Sequence, residues 1–180
     1  MKNTCVVVLA FTLTAWSTPV TSALPVAQDS ATESGTRSAQ GEGAEAGEVE
    51  DMLAQRLNDE RAAKGVPRLT RSAELDAVAA ARSEDMAARD YFGHTTPEGK
   101  DIFDVMRKDG MRWTRASETL HRNSAGMDDL EEAVRKAFDG FMNSSEHRRI
   151  LTDCRYEEFG VGHTYGDDDR HYFTVIVMRH

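Results

Sequence analysis

A chain of 180 residues, with 22 Lys and Arg against 31 Asp and Glu and a formal charge of −9, has room for one domain with appendages. The acidic balance excludes a non-specific nucleic-acid binder, and the lack of a Lys/Arg cluster argues against an anionic membrane surface as partner. Aromatic residues make up 7% of the chain, too few for an open base-stacking platform.

The first residues read as a secretory leader. Lys2 supplies a positive start, Cys5 to Phe11 an apolar run, and Thr21-Ser22-Ala23 a small-residue cleavage site. That run is far shorter than the ~20 residues that span a bilayer, so residues 1–23 are expected to be a signal peptide. No stable membrane anchor is expected, and the mature protein should be secreted. Cleavage would remove Cys5 and leave Cys154 as a free thiol, so the core must hold without a disulfide. Residues 24–48 are Ala, Gly, Ser, Gln and Glu with almost no large apolar side chain, the composition of a disordered acidic linker. Residues 49–180 remain as one domain, long enough to build an unassisted core.

Within that domain Val49, Met52, Leu53 and Leu57 recur at helical spacing, and Gly65 and Pro67 stop the helix. Ser72 opens a second helix with Leu75, Val78, Ala79 and Met86 on one face. A loop containing Pro97 and Gly99 follows. Asp101 then caps a short helix that turns Ile102, Phe103 and Met106 inward and ends at Gly110. Trp113 to Leu120 reads as a strand. Asp128 is the expected cap of the clearest helix, whose stripe is Leu130, Val134, Ala137, Phe138 and Phe141. Ser144 or Ser145 caps one more short helix. Phe159–Tyr165 and Tyr172–Met178 form a hairpin that turns through Gly166-Asp167-Asp168-Asp169. Helices followed by a small antiparallel sheet give an α+β layered domain.

Three side chains on separate elements stand out. His94 lies in a Gly/Thr/Pro-rich loop, where packing gives a histidine no reason to be. His147 sits near the start of a short helix, whose positive end keeps imidazole neutral. Glu118 lies in the strand between them. Two imidazoles and a carboxylate can hold a metal or move a proton, provided that the fold brings them together. Their plain readings are a solvated loop histidine, a histidine packed under a helix and a solvated strand carboxylate. His121 lies close enough to Glu118 in sequence to line the edge of such a site. His163 and His171 flank the hairpin turn, where solvated residues are favoured over a cross-strand pair. No Gly-x-Ser-x-Gly nucleophile motif and no His-Glu-x-x-His helix is present.

Taken together, Leu57-Asn58-Asp59-Glu60-Arg61, Gly65, Pro67, Leu69, Met86, Phe92-x-His94-x-x-Pro97-x-Gly99, Glu118, Ser144-x-x-His147-Arg148-x-Ile150-Leu151 and Gly160-Val161-Gly162 resemble the CAP superfamily. This superfamily comprises the cysteine-rich secretory, antigen 5 and pathogenesis-related 1 proteins, and the resemblance is to its short bacterial SCP-like form. It covers nearly all of residues 49–180. It implies an α-β-α sandwich around a central antiparallel sheet, with a cleft lined by two histidines and acidic residues. The cleft histidines fall on His94 and His147 and the first glutamate on Glu118. The chain departs from the pattern at Ser117-Glu118-Thr119-Leu120, which lacks the usual Gly and Asn, and at Phe141, where a tryptophan is usual. A second cleft glutamate maps near Ser144, with Glu146 close by.

The expected role is a non-catalytic extracellular module that binds a partner protein or a small apolar ligand. His94, Glu118 and His147 are its expected ligands for a divalent ion, zinc above all, because imidazole suits zinc better than magnesium or calcium. The competing expectation is a metal-dependent hydrolase, a peptidase or cell-wall enzyme, on the same three residues.

Overall fold

The computed structural model describes residues 41–180, with side chains from residue 47 onward. The expected signal peptide and most of the expected linker lie outside the described residues. Helix α1 (Gly41–Ala63) begins ahead of Val49, the expected start of the domain. Its buried stripe is Val49, Leu53 and Leu57, and Arg61 continues it at the same four-residue spacing, 1% exposed. The Arg61 guanidinium donates to the carbonyls of Pro67, Leu151 and Asp153, tying the end of α1 to the turn that follows it and to the distant turn after residue 151.

Strand β1 (Thr70–Arg71) leads into α2 (Ala73–Ala88), where the Ser72 hydroxyl caps the helix by accepting from Leu75 N. Helix α3 (Ile102–Lys108) starts with a reciprocal capping box between Asp101 and Asp104. Strand β2 (Arg115–Asn123) precedes α4 (Leu130–Asn143), capped by Asp129 and not by Asp128 as expected. Ser144 both ends α4 and caps α5 (Ser145–Leu151). Strands β3 (Glu158–Gly166) and β4 (Arg170–Arg179) form the expected hairpin, each slightly longer than its apolar run.

The sheet order is β1-β3-β4-β2. Strands β3, β4 and β2 are antiparallel, and the short β1 joins β3 in parallel, a pairing that its two residues gave no sign of. Because side chains alternate along a strand, the sheet serves two cores. Phe159, Val161, Phe173, Val175 and Val177 pack with α1, α4 and α5, whereas Ile176 and Met178 pack with α2 and α3. The result is the expected α+β sandwich, one helical layer on each face.

Helix α2 lies directly on β3. A Cβ at Gly160 would stand 2.2 Å from the Leu75 carbonyl carbon, and one at Gly162 would stand 2.1 Å from that of Ala79. Only glycine admits the helix backbone this close. Cys154 is disulfide-bonded in the whole chain, whereas the expectation of a free thiol concerns the chain after loss of residues 1–23, which lie outside the described residues.

Candidate ligand-binding cleft

A cleft of about 410 Å³ opens beside β2. Its walls come from the loop before α3 (His94, Thr95), the start of α3 (Asp101, Ile102, Phe103) and α5 (Ile150), and Ala116–Glu118 of β2 form its floor. The loop is held by a bridge between Thr95 and Asp101 and by Thr96 N donating to Lys100 O at 2.8 Å. Gly99 closes this turn at φ 81°, a left-handed conformation that glycine adopts without strain.

The loop brings His94 against Glu118. His94 Nδ1 lies 2.6 Å from Glu118 Oε2, with the imidazole 59% exposed and the carboxylate side chain only 3% exposed. The hydrogen bond to Glu118 raises the His94 pKa above its ordinary value, outweighing partial burial. With Nδ1 donating to the carboxylate, His94 turns Nε2 towards solvent.

Behind Glu118 stands Arg82 of α2, which the sequence reading passed over. Its guanidinium is 4% exposed and places Nε 3.3 Å from Glu118 Oε1. That is ion-pair distance but not hydrogen-bond alignment, for both atoms are buried without a hydrogen bond. The other guanidinium nitrogens donate to Tyr91 Oη at 2.7 Å and to the Gly93 carbonyl at 2.6 Å. Tyr91 in turn donates to Asp85 at 2.5 Å. Arg82 therefore compensates the buried carboxylate and anchors the loop that presents His94. One signal could have found it: with Leu75, Val78, Ala79 and Met86, Arg82 lies on the buried stripe of α2, where an unpaired charge is costly.

His147 lies near enough to His94 for the two charges to interact. Burial lowers its pKa, and His94 lowers it further. The Phe141 ring sits edge-on to His147 at 5.6 Å and to His121 at 5.7 Å. His121 is pushed down to about 4, chiefly by burial. It packs so closely on α4 that a Cβ at Gly140 would lie 2.2 Å from its ring. The chain thus joins His94 with Glu118 and sets His147 nearby. Among the described residues, however, no three His, Cys, Asp or Glu side chains stand together as a metal-binding group. Glu118 stands behind His94, with Oε2 against the imidazole and Oε1 facing Arg82 without a hydrogen bond.

His163 and His171, expected as solvated strand residues, are instead a pair. His163 Nε2 lies 2.8 Å from His171 Nδ1, and His171 is fully buried.

Residues 54–178 match the CAP family, described as the cysteine-rich secretory protein family. The chain is 30% identical over 114 residues to the uncharacterized protein YkwD of Bacillus subtilis, a match covering 63% of this chain and 42% of that protein. It is 29% identical over 102 residues to the uncharacterized membrane protein YlbC of the same organism, covering 57% and 26%. The chain therefore spans less than half the length of these curated relatives. Among solved structures, an extracellular SCP-domain protein of Bacillus anthracis superposes with a TM-score of 0.67 at 21% identity, covering 82% of this chain and 45% of that one. An outer surface protein of Borrelia burgdorferi does so with a TM-score of 0.64 at 16% identity, covering 73% and 92%. Among the described residues no helix is long and apolar enough to cross a membrane. With a fold shared with these structures and a family match over residues 54–178, most of its length, the chain belongs to the CAP family, the cysteine-rich secretory proteins.

Proposed function

We propose that the protein is a secreted, extracellular binding module without catalytic activity of its own, whose cleft holds a ligand against His94. One observation carries this reading. Glu118, the one carboxylate among the three residues on which a hydrolase would rest, is buried, hydrogen-bonded to His94 and faced by Arg82. A general base must reach the water whose proton it takes. Glu118 instead fixes an imidazole, and the imidazole presents Nε2 to whatever enters.

Zinc enters this proposal as an ion held by the His94 and His147 imidazoles, with Glu118 orienting His94 from behind. Two protein ligands make such a site weak. Zinc added alone should shift the ring resonances of His94 and His147 and leave those of His163 and His171 in place; shifts at the buried pair alone would exclude the cleft.

The test of the class is turnover. Purified protein incubated with peptidoglycan and with a denatured protein substrate, in zinc-supplemented buffer, should release no product. Release that His94→Ala and Glu118→Gln both abolish would replace this reading with the metal-dependent hydrolase.

A further inference from the structure

The two edges of the four-stranded sheet are treated differently. Thr70 N donates to Glu157 O and Ser72 N to Phe159 O, so the odd-numbered residues of β3 point their backbone groups towards β1. Beyond the short β1 that edge is closed by side chains. Asp76 Oδ1 accepts from Val161 N at 2.8 Å, and Glu50 Oε1 accepts from His163 N at 3.1 Å. Two carboxylates from α1 and α2 thus blunt an edge that would otherwise recruit another strand.

The opposite edge is β2, which among the described residues pairs along its length with β4 alone. Backbone groups alternate sides along a strand, so the parity follows from β3. Gly160 and Gly162 face β4, their partners Ile176 and Thr174 face β3, and Val175 and Val177 face β2. Ser117 and Thr119, opposite Val177 and Val175, therefore make the ladder with β4. Ala116 and Glu118 turn both N–H and C=O outward. Among the described residues no side chain caps them.

This edge is the floor of the cleft. Ala116, Ser117 and Glu118 are consecutive, and consecutive side chains point to opposite faces, so one cavity meets all three only at the strand's edge. The walls agree, because Ile102 and Phe103 come from the helical layer on one face and Ile150 from the layer on the other. Towards the far end of β2 the Phe92 ring lies 5.1 Å from the Arg122 guanidinium, so the His94 loop limits the open stretch.

We propose that the cleft takes an extended peptide segment, which joins the sheet as a fifth strand by pairing with the outward backbone of Ala116 and Glu118. The peptide is bound through main-chain hydrogen bonds, with apolar side chains of neighbouring residues against Ile102 and Phe103 on one face and Ile150 on the other, and a carbonyl within reach of His94 Nε2. An extended peptide suits this floor because its own N–H and C=O groups repeat at the same two-residue interval. This deepens the binding-module reading and rests on it.

The test uses the full chain, labelled with ¹⁵N, and capped peptides of alternating Thr and Val. One peptide is unmodified, and two carry N-methyl groups on alternate residues, each on the opposite parity. The unmodified peptide should shift the Ala116 and Glu118 amides. One methylated peptide should bind equally well, and the other at least about tenfold more weakly, the scale of one lost hydrogen bond. Ala116→Pro removes an outward N–H and leaves the ladder with β4 intact, a substitution that edge strands tolerate. It should weaken the unmodified peptide by a similar factor. Equal weakening by both methylation patterns, or shifts confined to the His94 loop and α3, would overturn the fifth strand and leave the binding module standing. Cleavage of the unmodified peptide would overturn the module itself.

Discussion

The His94–Glu118 pair and the His163–His171 pair are both hydrogen-bonded histidines at the sheet, and their environments give them opposite properties. His94 is more than half exposed and leans on a buried carboxylate, which raises its pKa. His163 is pushed down to about 3, first by burial and then by His171. Burial likewise lowers His171. The geometry of the second pair fixes its protons. His171 Nε2 lies 3.2 Å from the Gly126 carbonyl, which can only accept, so that nitrogen donates. Nδ1 of His171 must then accept from His163 Nε2, and both rings are neutral. A charged proton has a place in the cleft and none in the core. One pair is equipped to meet a ligand, and the other joins the hairpin to the loop before α4.

The comparison breaks most sharply at Arg82. Arg82→Met leaves Glu118 charged and buried beside an imidazole, and should cost about 4 kcal/mol in denaturant unfolding. Adding Glu118→Gln should restore part of that loss. A single variant as stable as wild type would show that Arg82 does not compensate the carboxylate.

Next comes the difference between the pairs themselves. His171→Ala opens a cavity and strands the Gly126 carbonyl and His163 Nε2, and should lower stability by about 3 kcal/mol. His94→Ala removes a mostly exposed ring and should cost less than about 1 kcal/mol. Equal losses in thermal denaturation would mean that the two pairs share one structural role.

Acid sharpens the contrast by a smaller amount. The folded pKa of His163 lies below its unfolded value, so its stabilising effect is present above about pH 6.5 and is lost as pH falls towards 3. At pH 5 that cost is about 2 kcal/mol, and His121, pushed down to about 4, acts in the same direction. Glu50 opposes them. Burial pushes its carboxyl up to about 7, so its contribution is present below 4.5 and is lost as pH rises through 7. Stability should fall modestly from pH 7 to pH 5, and Glu50→Gln should steepen that fall by about 2 kcal/mol. Parallel pH profiles for the two proteins would contradict the buried carboxyl.

The helices and the hairpin were legible because apolar spacing reports burial directly. The α4 stripe predicted the face that Val134, Ala137 and Phe141 bury. His94 and Glu118 were legible as a pair through the resemblance, since nothing in their spacing requires contact. Arg82 was overlooked because a charged residue in a helix reads as solvated, although its place on the apolar stripe said otherwise. The buried histidine pair was misread for a related reason. A polar residue beside a turn is ordinarily exposed, but His171 is buried among the rings of His163, Tyr165 and Phe173 and against the Gly126 carbonyl, contacts that no local pattern announces. The two-residue β1 carries too little pattern to be seen before its partner is in place.

The tautomer of His94 tests the central claim most directly, that Glu118 fixes this imidazole and serves neither as base nor as metal ligand. Long-range ¹H–¹⁵N correlation of the ring, recorded above its raised pKa where the imidazole is neutral, distinguishes the two nitrogens. The account predicts a protonated Nδ1, bonded to Glu118, and an unprotonated Nε2 facing the cleft. A proton on Nε2 with Nδ1 bare would contradict it, because Glu118 would then have no donor from His94 and its carboxylate would be free for other work.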